Sequence, residues 1–133
     1  SNASLARGLF LLGTYQYNRD YLAKSEALLR NVLAGVVEQS PNHTHWAGLL
    51  SWQAGTVYEV AIVGEDWQAK RAEWDQRYQP QCLLLGGKEE GKLELLANKR
   101  VAGKTMIYVC QNKSCRLPVR DIEAARRQLT DMP

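Results

Sequence analysis

The chain has 133 residues, 45% of them hydrophobic, with a net charge of +3 and three cysteines. That is enough apolar material for one domain, or one domain with a helical appendage, to build a core without disulfide staples. Its basic residues are interleaved with acids, as in Lys88-Glu89-Glu90 and Glu123 to Arg127, which argues against a nucleic-acid-binding face, and no apolar run approaches the ~20 residues of a membrane span.

The elements follow in chain order. Ser1-Asn2-Ala3 reads as the scar of a removed tag, and an amphipathic helix begins at once, as if cut from something longer. That helix spans Ser4 to Tyr17, with Leu5, Leu9, Phe10 and Leu12 as its apolar side. Asn18-Arg19-Asp20 is a polar turn able to cap a second helix that continues to about Glu38. Leu22, Leu28, Leu29, Val32, Leu33, Val36 and Val37 give that helix a wide apolar stripe. A loop containing Pro41 leads to a third helix, capped by Thr44 and stopped by Gly55.

At Val57 the period changes. Val57 to Val63 is rich in β-branched residues and reads as a strand ending at Gly64. Asp66 caps a helix to about Arg77, and Gln81 to Leu85 is a second strand stopped by Gly86-Gly87. A strand, a helix and a strand at this spacing predict a parallel βαβ unit. Lys92 to Asn98 reads as a short helix and Thr105 to Cys110 as a third strand. The chain then turns between Cys110 and Cys115, returns over Arg116 to Val119 as an edge strand tolerating Pro118, and ends in a helix from Ile122 to Leu129 capped by Asp121. The division falls at 1–55, helical, and 56–133, α/β. The second part has the element order of a thioredoxin-like fold, but Gly64-Glu65-Asp66-Trp67 stands where a Cys-x-x-Cys would sit.

The chemistry-bearing candidates are few. Cys110 and Cys115 flank a predicted four-residue hairpin loop, a spacing that suits a reversible disulfide, half of a metal site or two small residues at a turn. A zinc site would need two more ligands from Cys82, His43 and His45, which nothing in the sequence forces together. Three cysteines, few and odd in number, suit a reducing compartment and hence a cytoplasmic protein. His45, Trp46 and Trp52 around the third helix are candidate carbohydrate contacts, whereas Trp67 and Trp74, seven apart, read as core. Gly64 alone is no phosphate-binding motif, and Glu65 and Asp66 would repel phosphate there. No catalytic residue, metal or cofactor is expected.

Several segments resemble one family. Val60-Ala61-Ile62-Val63-Gly64, Tyr78-Gln79-Pro80, and Tyr108-Val109-Cys110 with Asn112, Cys115 and Pro118 are similar to the C-terminal region of YyaL-type proteins, which include the animal spermatogenesis-associated thioredoxin-domain proteins. Leu5-Ala6-Arg7 with Leu9, and Asp20-Tyr21-Leu22 to Ala27, look like a helical hairpin of that family. The resemblance implies a thioredoxin-like domain and a helical toroid of the N-acylglucosamine 2-epimerase kind upstream, the first missing from this chain and the second missing for the most part. The expected fold is α/β: a helical hairpin left from an α/α toroid, then a small, mostly parallel sheet of three or four strands with flanking helices. The expected role is a non-catalytic structural or interaction segment whose partner is the rest of a parent chain. Leu28, Val32 and Val36, exposed on a cut hairpin, would drive self-association. Two alternatives stand beside it: part of a sugar-isomerising or glycan-processing enzyme, and a thiol redox module using Cys110 and Cys115.

Overall fold

A computed structural model of the chain describes residues 1–129, which divide between Thr56 and Val57 into two compact units. The first is helical: α1 (Asn2–Tyr15), α2 (Arg19–Arg30), α3 (Leu33–Glu38), a 3₁₀ turn at Ser40–His43 and α4 (Thr44–Ala54). The Asn18 side chain accepts from the Asp20 and Tyr21 N–H groups, so the polar turn caps α2 as its composition predicts.

The buried side of α1 is not the leucine stripe. Ala3, Ala6, Phe10 and Gly13 face inward, while Leu5 and Leu12 are 56% and 47% exposed. Small residues let the α2 backbone approach closely. A Cβ on Gly13 would lie 2.8 Å from the Leu22 side chain. Ser25, wholly buried, donates to the Ala6 carbonyl at 2.7 Å and accepts from Gln53 Nε2 at 2.9 Å, so one hydroxyl joins α1, α2 and α4. The single second helix expected to reach Glu38 is divided at Asn31-Val32, two weak helix formers. The break turns Val36 inward, 2% exposed, and leaves Leu33 and Val37 outside, so the expected outward set of Leu28, Val32 and Val36 is replaced. Thr44 is the first residue of α4 rather than its cap; His43 holds the cap position without a side-chain bond.

The second unit is an α/β layer structure: β1 (Tyr58–Val63), α5 (Trp67–Trp74), β2 (Cys82–Gly87), a 3₁₀ turn at Glu94–Leu96, β3 (Met106–Gln111), β4 (Ser114–Cys115) and α6 (Ile122–Arg127). The strand order is β2-β1-β3-β4. Parallel pairing is confined to β1–β2, as the βαβ reading predicts; β3 and β4 add antiparallel, making the sheet mixed. On one face Tyr58, Val60, Ile62, Cys82, Ile107 and Val109 pack against Trp74 of α5 and Ile122, Ala125 and Leu129 of the α6 region. On the other lie Glu59, Ala61, Val63, Leu83, Tyr108 and Cys110. Leu95 and Leu96 of the 3₁₀ turn are also buried.

Three local devices position this unit. The Arg126 guanidinium donates to the Glu73 and Trp74 carbonyls, satisfying the C-terminal end of α5 while lying over the Trp74 ring. The Glu90 carboxylate accepts from the Asn98 and Arg100 N–H groups, which hold it below the usual carboxylate range and fold the 90–100 loop around it. Asp66 does not cap α5 with its side chain; its N–H donates to Thr105 Oγ1 at 2.9 Å, tying the β1–α5 turn to the start of β3.

Gly86 and Gly87 do not stop β2 but belong to it. Gly86 has φ +138°, and a Cβ there would sit 2.0 Å from the Ile62 carbonyl oxygen of β1. Gly91 also has positive φ but open space around it. Gly86→Ala is therefore expected to cost on the order of 3 kcal/mol or more and Gly91→Ala about 1 kcal/mol, read from urea unfolding midpoints. Equal losses would show that conformation alone, without the contact, governs Gly86.

Candidate functional site

The one covalent cross-link lies at the hairpin of β3 and β4, where Cys110 and Cys115 form a disulfide. The hairpin is tighter than the expected four-residue loop. Gln111 pairs with Ser114, leaving only Asn112 and Lys113 at the turn, both at positive φ (49° and 69°), the signature of a type I′ turn. Asn suits that conformation, and Lys113 reaches Glu94 at 2.8 Å, joining the hairpin tip to the 3₁₀ turn. The expected return strand over Arg116 to Val119 is interrupted. Cys110 pairs with Cys115, but Ile107 pairs with Val119, one residue later than an unbroken ladder would give. The extra residue makes a bulge at Leu117-Pro118, a place where proline's missing donor costs nothing.

The disulfide sits at the end of a transverse row. Leu83 on β2 pairs with Glu59 on β1, Glu59 with Cys110 on β3, and Cys110 with Cys115 on β4. Residues paired in this way carry their side chains on the same face, with Cβ atoms about 5 Å apart. Glu59 and Cys110 thus project from the same face of adjacent strands, directly paired. Glu59 is 4% exposed, its Oε2 has no hydrogen-bond partner, and burial raises its carboxyl above the ordinary value of 4.5. The two sulfurs differ: Cys110 is 0% exposed, whereas Cys115 is exposed on the short edge strand.

Nothing in the sequence reading singled out Glu59. The available signal was one acid inside an otherwise apolar strand, Tyr58-Glu59-Val60-Ala61-Ile62-Val63. Its importance depends on β1 being central, with strands at both edges and both faces covered, so that all six of its residues are buried.

The other candidates are kept apart. Cys82 packs in the core on the opposite face of the sheet from Cys110, and burial pushes its thiol up to about 12. It borders an open groove of about 490 Å³ lined also by Trp74, Tyr78, Pro80 and Leu84. Among the described residues no group of three His, Cys, Asp or Glu side chains is placed to hold a metal ion. In the helical unit, Trp52 is stacked on Phe10 at 5.6 Å and covered by the Arg7 guanidinium at 4.7 Å. Its ring is used in helix packing. Trp46 is half-buried and six residues away, about 120° round α4, so the two indoles do not form one platform; His45 is exposed beside Trp46. Trp67 and Trp74 contribute to the sheet core, as their spacing predicts.

The buried carboxyl has a stability consequence. Between the unfolded titration and the higher native one, the folded chain keeps a proton that the unfolded chain releases. Stability present below the ordinary carboxylate range is therefore lost as pH rises through the native titration of Glu59. Glu59→Gln removes that loss: calorimetry is expected to show the variant melting above the parent at about pH 8, with the gap closing toward about pH 4. Parallel melting profiles would show that Glu59 does not titrate in the folded state. No family model, curated protein or solved structure matches this chain.

Proposed function

We propose that this chain is a non-catalytic structural and interaction segment of a longer protein, docking through its helical unit against further helices of the parent chain. The observation that carries the reading is the outward apolar set of that unit. Leu5 and Leu12 are seven apart on α1, and Leu33 and Val37 four apart on α3, so each pair lies on one helix face. With Leu9 half-buried between the first pair, α1 is apolar on two sides, the pattern of a helix packed between neighbours. The element order of the α/β unit, with a 3₁₀ turn where a second helix would stand, agrees with the thioredoxin-like order read from the sequence.

In isolation the same faces have only other copies to cover them. The chain is expected to self-associate in light scattering across a concentration series. Substituting Leu5, Leu12, Leu33 and Val37 together by Ser is expected to weaken that association at least tenfold, about 1.4 kcal/mol. A parent chain that stays monomeric throughout would count against the docking role.

A second reading has its own observation. Cys115 is an exposed residue at the sheet edge, the side from which a thiol in solution would approach the disulfide. On this reading the hairpin is a thiol redox element.

A further inference from the structure

We infer, on the reading of Cys110–Cys115 as an exchangeable disulfide, that Glu59 is the proton donor and acceptor for the Cys110 sulfur, and that the row Glu59–Cys110–Cys115 is a one-sided exchange site for a dithiol reductant. The geometry sets the direction of attack. Cys110 is enclosed, so a reductant thiolate can approach only Cys115 Sγ. Attack there forms a reductant–Cys115 bond and breaks the Cys115–Cys110 bond, whose electron pair goes to Cys110 Sγ.

That leaving group is the difficulty. A bare thiolate in the middle of this sheet is strongly disfavoured, as the nearby buried thiol of Cys82 illustrates. Glu59, paired with Cys110 across β1 and β3, buried and with Oε2 unpartnered, is the acid we assign to deliver a proton to that sulfur. Transfer leaves Cys110 as a neutral thiol and Glu59 as a carboxylate, which regains its proton from solvent. The second reductant thiolate then attacks the reductant sulfur of the mixed disulfide. A cyclic reductant disulfide leaves, and Cys115 takes a proton from water. In total the dithiol is oxidised, the protein disulfide is reduced, and the two protons released by the dithiol are replaced on the two cysteines. In the oxidising direction Glu59 carboxylate removes the Cys110 proton.

The surroundings leave this task to Glu59. On its face β3 contributes Tyr108, whose hydroxyl donates to the Lys99 carbonyl and whose ring lies under Lys99 Nζ, so that hydroxyl proton is engaged. From β2 come Leu83 and Leu85, which are uncharged. From the 3₁₀ turn come Leu95, Leu96 and Glu94, the last ion-paired to Lys113 at the exposed hairpin tip.

The test uses the whole oxidised chain with dithiothreitol as reductant, from about pH 5 to about pH 9, with thiols counted by alkylation and mass spectrometry. Rates are divided by the dithiothreitol thiolate concentration. The parent's normalised rate is expected to fall about tenfold or more in a single step as pH rises, following ionisation of Glu59. E59Q and E59L are expected to be flat across the range. A parent profile that is flat, or one kept by both variants, overturns the proton-transfer role. A parent disulfide that resists dithiothreitol when folded but is reduced in urea overturns instead the exchange reading beneath it. If neither variant folds, the parent alone decides: the carboxyl carbon resonance of Glu59 should titrate at different pH in the oxidised and reduced forms, and identical titrations overturn the proposal.

Discussion

The α/β unit depends on one strand having covered neighbours on every side. All six residues of β1 are buried: β2 and β3 take up its two hydrogen-bonding edges, helices cover one face, and the other face is closed as well. Such a strand admits no register slip, because a shift of one residue would exchange Val60 and Ile62 for Glu59 and Ala61 in the main core. It also forces any polar residue it carries into the interior. Glu59 is in that position, and its placement beside Cys110 follows from the same register that packs the core. The core and the candidate site are therefore set by one constraint.

Much of this was legible from local chemistry. The switch from helical to β-branched pattern at Val57 places the division between the units within a residue of its observed position. The βαβ spacing gives the parallel pair, and Asp121 caps α6 through the Ala124 N–H as expected. Errors arose where the deciding neighbour is remote in sequence. Composition favours Leu5, Leu9, Phe10 and Leu12 as the inner side of α1; Phe10 is buried as expected, but its companions there are Ala3, Ala6 and Gly13, which allow α2 to approach closely. Gly86 resembles a strand terminator until the Ile62 carbonyl beside it is seen. The cysteine pair was legible as a hairpin, but its turn was read as too long, since Lys113 at positive φ is uncommon.

The helical unit follows a different rule. Its inner seam is made of small residues and one buried hydroxyl, Ser25, which reaches both the α1 backbone and a glutamine of α4. A seam of this kind fixes the helices by geometry more than by buried area. It leaves Leu5, Leu12, Leu33 and Val37 facing outward. Small residues line the α1–α2 contact, and Phe10, Leu29, Val36 and Leu49 fill the rest of the interior.

The Arg126 clamp bears on how the unit is assembled in time. The carbonyls at the end of α5 and the ring of Trp74 are completed by a residue fifty positions further along the chain. As the polypeptide emerges during synthesis, β1, α5 and β2 can pair early, but the helical layer over the sheet stays open until α6 has been made. In that interval Trp74 and the apolar face beneath it lack the cover that α6 supplies. Arrival of Arg126 covers the Trp74 ring and adds a charged donor to both carbonyls at once, which ties completion of the core to its last described helix.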